Sequence, residues 1–420
     1  MTLSLGIDFG TSGARAIAID SAGAVKVQLQ RKYPNSENPN WIEIWKQTLF
    51  SLIQRIPRDI RDQIGAIAID GTSATALLCD RQGVPIVSPL FYNDSRGKSV
   101  LSTLKAIAPS DHPVISATST LAKLLWWCEG DPDQIPQNAH FLMHQADWLG
   151  YLLHNQLGVS DYHNALKLGY DVGDFTYPDW LIDLELSRLL PKVIEPGCPI
   201  APVQASVADQ LDLPKDCQIC AGTTDSIAAF LASGAHRPGE AVTSLGSTLV
   251  LKLLSETRVD NSEYGIYSHR LGDLWLVGGA SNSGGAVLRQ FFDDAEIKSL
   301  SAQIQVGQAC PLNYYPLVSS GERFPINDPN LSPRLDPRPP ADADFLYGIL
   351  DGIARIEATG YKLLQTLGAT PLTRVYTAGG GAKNDTWTAI RRIYLQTPVV
   401  TSRQTEAAYG SALLALKSIQ

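Results

Sequence analysis

The sequence predicts two α/β domains built on one plan, each opening on a β-hairpin whose turn is made of glycine and hydroxyl residues. Three observations predict it. Leu3 to Ile19 reads as an apolar run without helical spacing, then Asp8, the turn Gly10-Thr11-Ser12-Gly13, and a second apolar run from Ala14. Glu240 to Lys252, EAVTSLGSTLVLK, repeats the arrangement around Gly246-Ser247-Thr248. At 420 residues the chain is long for a single core. One polar hairpin is common, but two, each near the start of a half, indicate duplication. The reading places the domains at 1–228 and 229–420.

The turns carry the first chemical signal. Glycine lets backbone N–H groups approach an anion, and the hydroxyls of Thr11, Ser12, Ser247 and Thr248 add donors. Asp8 is unfavourable beside a bare phosphate. Beside a magnesium-bound phosphate it is useful, because a hard cation takes carboxylate oxygen directly or through water. The second turn lacks the carboxylate, so the two halves are chemically unequal.

Composition removes several classes. Hydrophobic content of 44% with 18% charged residues is that of an ordinary globular protein. A net charge of −8 without a Lys/Arg cluster argues against nucleic acid as a partner, though not against ATP, which is held by local amides and a metal. No apolar stretch approaches membrane-spanning length. MTLSLGIDFG has no basic segment before its first strand, so no targeting segment and a cytoplasmic protein are expected. The cysteines are scattered, and only Cys217 and Cys220 are spaced C-x-x-C. No second pair or histidine set completes a metal site, and Cys220 lies in strand-like sequence, so reduced thiols are expected.

The remaining elements follow from periodicity. Strands are expected at 3–8, 14–20 and 25–33. A helix follows with Ile42, Trp45, Leu49, Leu52, Ile53 and Ile56 on one face, ended by Pro57. Strands are expected at 64–69 and 74–79, and helix across 100–160, with Trp126-Trp127 and Leu149–Leu153 in the core. Ile219 to Ala232 reads as a strand, the turn Gly222-Thr223-Thr224-Asp225, and a helix. Residues 325–340 hold six prolines and no apolar period, so they form a surface loop. Leu346 to Leu367 is an amphipathic helix. Near the end, a strand at 375–378 leads through Gly379-Gly380-Gly381 into a helix starting at Asn384-Asp385 and carrying Trp387. Three glycines clear side chains from a patch on which a flat ring such as adenine can lie; the alternative is a left-handed turn before an Asn or Asp cap. Neither the G-x-G-x-x-G nor the G-K-[ST] fingerprint is present, which leaves dinucleotide and P-loop folds unsupported.

Taken together these segments resemble the FGGY family of carbohydrate kinases, within the actin, hexokinase and Hsp70 ATPase superfamily, over nearly the whole chain. Asp8-Phe9-Gly10-Thr11-Ser12 is similar to the first phosphate motif and Ser244-Leu245-Gly246-Ser247-Thr248 to the second, although the family more often has Gly-Thr-Ser there. Tyr92-Asn93-Asp94-Ser95-Arg96 resembles a Trp/Tyr-x-Asp-x-Arg segment. Ala221-Gly222-Thr223-Thr224-Asp225 resembles the Ala-Gly-x-x-Asp motif of the catalytic base, Gly321-Glu322-Arg323-Phe324-Pro325 the Gly-Glu-Arg-x-Pro loop, and Gly379 to Trp387 the adenosine motif. The resemblance implies duplicated RNase H-like domains with an interdomain cleft. The chain is shorter than most members of the family. Where bacterial xylulose kinases usually have a Met-His pair, it has Gly71-Thr72-Ser73-Ala74-Thr75. This resembles the cyanobacterial and plant xylulose kinase-like subgroup and implies D-ribulose as the sugar, with D-xylulose as the alternative.

The expected enzyme is an ATP-dependent kinase acting on the terminal hydroxyl of a ketopentose, with ATP and Mg2+ and a monomeric or weakly dimeric state. A sugar-sensing protein with residual ATPase activity is the competing class. Asp225 accepts the proton of the attacking hydroxyl and Asp8 positions magnesium, the alternative for Asp225 being a helix cap. Thr11, Ser12, Gly13, Gly246, Ser247 and Thr248 face the phosphates. Gly380, Gly381, Asn384 and Trp387 face adenosine. Asp8, Gly13, Arg15, Ser73 and Asp225 face the sugar, while Asp94 and Arg96 pair with each other.

Overall fold

The computed structural model describes residues 2–307 and 310–419. The chain forms two compact units, Met1–Ala232 with Glu406–Gln420, and Ser233–Thr405. Residue 228, where the sequence reading put the boundary, lies within the helix Asp225–Ala232.

The first unit is built on a six-stranded sheet in the order Val25–Lys32, Gly13–Ile19, Leu3–Phe9, Ile64–Gly71, Gln218–Thr224, Pro199–Pro202. The first three strands form an antiparallel meander; Leu3–Phe9, Ile64–Gly71 and Gln218–Thr224 run parallel. Strand alternation sends Leu5, Ile7 and Phe9 into one core, which also takes Trp45, Leu49 and Leu52 from the helix Trp41–Gln54 and Leu149 and Leu153 from Gln145–His154. Ile17, Ile19, Ala66 and Ala68 face the opposite side, under the C-terminal helix Ala407–Lys417. That helix lies very close. A Cβ on Gly6 would sit 2.0 Å from the Ala408 carbonyl oxygen, and one on Gly410 1.8 Å from that of Ala228.

The stretch 100–160 is less helical than its composition suggests. Leu101–Ile107, Thr120–Trp127 and Gln145–His154 are helices, but Phe141–His144 is a strand paired with Ala76–Cys79. Four residues are too few for a period of two to show against helical neighbours. The strand expected from Ala74 begins at Ala76, because Ala74 is left-handed with φ 60°.

The second unit repeats the plan. Its sheet runs His269–Leu271, Leu274–Ser281, Leu249–Ser255, Glu240–Leu245, Arg374–Ala378, Val399–Thr401. The hairpin strand Glu240–Leu245 again pairs antiparallel with its successor and parallel with a strand from much later in the chain. The 25-residue helix Asp342–Thr366 and the helix Asp385–Leu395 carry a buried polar network. Arg391 donates to both Glu357 carboxylate oxygens, at 2.6 and 2.7 Å, and to Thr377 Oγ1, while Thr243 Oγ1 donates to Glu357. Thr243 and Thr377 lie on the strands that lead to the Gly246 turn and the Gly379 triplet, so the network fixes both endings.

Removing one partner of a buried ion pair leaves an uncompensated charge. Arg391→Met is therefore expected to lower the unfolding free energy by about 3–5 kcal/mol in urea denaturation. A loss below about 1 kcal/mol, the scale of an exposed pair, would contradict this role.

Candidate active site

In the first unit three parallel strands deliver polar groups to one end of the sheet. Asp8 and Asp70 are register partners on adjacent strands, and Thr223 partners Asp70 from the other side. Asp225 follows as the first residue of the helix Asp225–Ala232. The antiparallel return strand brings Arg15 opposite Asp8. The sequence-predicted Asp8, Arg15 and Asp225 therefore meet at one place, and the field of Asp225 is felt at Asp8.

Asp8 is nearly buried, and desolvation pushes its carboxyl up to about 6. The Asp70 carboxyl and Arg15 act to lower it, while Asp225 and Glu406 raise it. Asp70 is fully buried, and desolvation together with the Asp8 charge drives it well above the ordinary carboxylate range. Ser411 Oγ donates to Asp70 Oδ2 at 2.6 Å. Arg15 is half exposed, with Nη1 3.6 Å from Asp8 Oδ2 and Nε 3.0 Å from Glu406 Oε2. Asp225 Oδ1 accepts from the Ser226 amide at 2.6 Å, a helix-start interaction that coexists with its place beside Asp8.

The turn residues Thr11 and Ser12 are exposed, and so are Ser247 and Thr248 in the second unit. Gly10 and Gly246 share a telling property. A Cβ on either would be 3.6 Å from its nearest neighbour outside the adjacent residues, ordinary contact, and neither has positive φ. The fold does not require glycine there, whereas close approach of an anion to the backbone does. Gly13 differs. Its Cβ would lie 2.5 Å from the Arg31 carbonyl oxygen, so packing against the third strand accounts for it.

On the sugar side, Thr72 is tied down by Gln145, whose Oε1 accepts from the Thr72 amide at 3.0 Å and from its hydroxyl at 3.1 Å. Ser73 is half-buried, and its hydroxyl takes no hydrogen-bond partner among the described residues. Asp94 and Arg96 do pair, through contacts of 2.6 to 3.1 Å, which hold Asp94 below the usual carboxylate range.

In the second unit the Gly379 triplet divides the same way. Gly379 is left-handed with φ 83°, and a Cβ on Gly381 would strike Trp387 at 2.6 Å. Gly380 has no neighbour within 4 Å of a built Cβ. Trp387 is buried under Gly381, so the expectation that it flanks adenine is corrected: no open ring face remains, as befits a tryptophan on the inward side of its helix. Asn384 is the helix N-cap, accepting from the Trp387 amide at 2.9 Å and donating to Ser301, which occupies both ends of its amide.

Two groups here, Arg289 and Gly284, were not found in the sequence, and a third, Glu322, was named there only through the Gly-Glu-Arg-x-Pro resemblance. Arg289 donates to Ser247 Oγ at 3.3 Å and places an exposed cation at the second turn. Gly284 lies directly on that turn, its Cβ position 2.7 Å from Thr248 Cα. Glu322 braces the preceding segment, accepting from Ser281 Oγ and the Asn282 amide. The Gly-Glu-Arg-x-Pro resemblance was the only signal for any of them. Cys217 and Cys220 pack into cores on opposite faces of the sheet, and burial raises both thiols. Among the described residues no group of three His, Cys, Asp or Glu is arranged to hold a metal, and no helix is long and apolar enough to cross a membrane.

Because the fold leaves room at Gly380, Gly380→Val is expected to keep the melting temperature of the wild type while weakening ADP binding by roughly tenfold or more, the scale of overpacking a fitted contact. Calorimetric titration checks this. Unchanged ADP affinity would remove the triplet from the nucleotide site.

The model of the N-terminal domain of the FGGY family of carbohydrate kinases matches residues 3–232, and that of the C-terminal domain matches residues 241–419. A xylulose kinase of Staphylococcus epidermidis is 24% identical, over 98% of this chain and 87% of its own length. An L-fuculokinase of Salmonella typhi is 22% identical over 97% and 90%. The crystal structure of xylulose kinase from Rhodospirillum rubrum superposes with a TM-score of 0.85 at 21% identity, covering 100% of this chain and 90% of that one. Plasmodium falciparum glycerol kinase with ADP does so with 0.84 at 17%, covering 100% and 90%. With both domain models matched in order along the chain, this protein belongs to the FGGY family of carbohydrate kinases.

Proposed function

We propose that this kinase transfers the γ-phosphoryl group of Mg2+-ATP to the terminal hydroxyl of a ketopentose. The observation that carries the reading is the meeting of Asp8, Arg15 and Asp225 at the end of three parallel strands, beside a turn whose glycine the fold does not need. Amides of the Gly10 and Gly246 turns, with the hydroxyls of Thr11, Ser12, Ser247 and Thr248, bind phosphate oxygens. Gly380 and Gly381 form the floor for adenine. Arg15 and Ser73 bind sugar hydroxyls, and Asp225 orients the attacking hydroxyl and takes its proton. The single carboxylate of Asp8 at the mouth of the turn would suit magnesium, a hard cation that takes carboxylate oxygen directly or through water. Asp8 would hold the ion, which would supply neutralisation of charge on the transferring phosphoryl group.

The names of the relatives support D-xylulose as the sugar over the D-ribulose that the Gly71-Thr72-Ser73 segment led us to expect. D-ribulose stands as the second reading, because Ser73 offers a single unpartnered hydroxyl where the family's xylulose enzymes resemble a Met-His pattern. Ratios of kcat/KM from coupled ADP release decide between them. A higher value for D-xylulose is the expected result, and a higher value for D-ribulose reverses the assignment.

Asp225→Asn separates the two roles of that residue, since asparagine keeps the oxygen that accepts from Ser226 and loses the base. Turnover is expected to fall roughly 10²-fold or more with KM for ATP nearly unchanged. Near-normal turnover in the folded variant would leave Asp225 as a helix cap alone and favour the sugar-sensing alternative.

A further inference from the structure

The helix Thr120–Trp127, sequence TLAKLLWW, carries a lysine where its neighbours carry core side chains. Lys123 is fully buried, between Ala122 and Leu124, which are fully buried as well. An ammonium group in such a place is costly unless its donors are satisfied, and leucine or methionine would fill the volume without that penalty. Burial pulls Lys123 down to about 7, Asp94 acts to raise it, and Lys167 and Arg96 act to lower it.

The partners of the amine show what it holds. Nζ donates to the Ala74 carbonyl oxygen and to the Phe91 carbonyl oxygen, both at 2.6 Å. Ala74 belongs to the Gly71–Thr75 turn and adjoins Ser73. It is also left-handed at φ 60°, a conformation unfavourable for alanine that persists only when the surroundings enforce it. Phe91 immediately precedes Tyr92-Asn93-Asp94. The two segments are already neighbours, since the Ala76 and Leu90 backbones exchange hydrogen bonds. Three residues further along the same helix, Trp126 lies under Arg96, its ring centroid 4.6 Å from the guanidinium carbon, and Arg96 in turn grips Asp94. One helix therefore holds both segments through polar contacts as well as through the apolar core it shares with Ala76 and Leu78.

We infer that Lys123 is a positioning residue for the sugar, clamping the Ser73 turn to the Asp94 segment so that the two are presented in one fixed geometry. The inference rests on the sugar-kinase reading for its consequence, while the clamp itself is a property of the fold. Ser73 has a hydroxyl to offer a substrate, and its neighbour Ala74 could relax to an ordinary backbone conformation if its carbonyl were released. A relaxed turn would move that hydroxyl without disturbing Asp8, Asp225 or either phosphate turn, none of which Lys123 touches. The defect would then fall on sugar binding and spare the nucleotide.

Lys123→Met removes the donors at nearly equal volume, and Lys123→Gln keeps two donors on a side chain one atom shorter, for use if the methionine variant does not accumulate as folded protein. Two readouts are made on the full chain. Amide hydrogen exchange over residues 72–76 and 91–94 is expected to speed up in the variant, with the strand Leu3–Phe9 unchanged. In steady-state kinetics KM for the ketopentose is expected to rise roughly tenfold or more, the scale of losing a charged hydrogen bond, while KM for ATP and the sugar-independent ATPase rate stay within about twofold. Unchanged exchange in both segments overturns the clamp. Faster exchange with equal effects on sugar and ATP, or with no effect on either, overturns the positioning role. Failure of the wild type to phosphorylate any ketopentose would instead reject the function reading, and the exchange result would stand apart from it.

Discussion

Backbone-to-backbone packing of the C-terminal helix governs the active end of the first unit. At Gly6 and Gly410 the helix Ala407–Lys417 comes so close to the first strand and to the helix Asp225–Ala232 that no side chain fits. Contact at that distance sums many weak attractions, but it also fixes position, since a close-packed interior resists small displacements. Everything chemical follows from the fixed position. Asp225 begins the helix that Gly410 approaches. Ser411 reaches Asp70, and Glu406, just before the helix, holds Arg15 against Asp8. The last residues of the chain thus set the electrostatics of the first turn.

This dependence explains what was legible in the sequence and what was not. Both hairpins could be read because a period of two, interrupted by glycine and hydroxyl residues, is written locally. So could the helix Asp342–Thr366, whose apolar stripe is long enough to define its face, and the strand-to-helix passage at Asp225. Phe141–His144 was too short to declare itself. Glu406, Ser411, Arg289 and Lys123 were invisible for a different reason. Each acts on a partner that only the fold brings near, and a glutamate before a helix or a lysine within one carries no mark of its target. Trp387 was misread because the same spacing that makes a tryptophan conspicuous also turns it inward.

Glycine was the more reliable guide once each one could be asked what a methyl group would meet. Gly6, Gly13, Gly381 and Gly410 are demanded by packing, and Gly379 by its left-handed backbone. Gly10, Gly246 and Gly380 are demanded by no contact among the described residues and by no positive φ. These three lie in the two hydroxyl turns and at the centre of the triplet, the places where a phosphate or a flat ring would need the backbone bare. The distinction separates glycines that packing or backbone conformation demands from glycines that neither demands.

The duplication also shows how one plan came to carry two kinds of chemistry. Counting back from Gly10 and Gly246, Asp8 and Ser244 hold equivalent positions. Asp8 has Asp70 as its neighbour on the next parallel strand, whereas Ser244 has Ala378. The first unit therefore places two carboxyls at its strand ends and accepts the cost of burying them, which raises both above the ordinary carboxylate range. The second unit has neutral groups there. Its charges lie one residue deeper, where Thr243 and Thr377 meet Glu357 and Arg391 in a closed and satisfied network. A turn backed by neutral groups presents only donors, which suits an anion. A turn backed by a carboxylate suits an anion that arrives with its metal and a hydroxyl that must lose a proton. The asymmetry of two side-chain pairs makes the two strand ends chemically unequal.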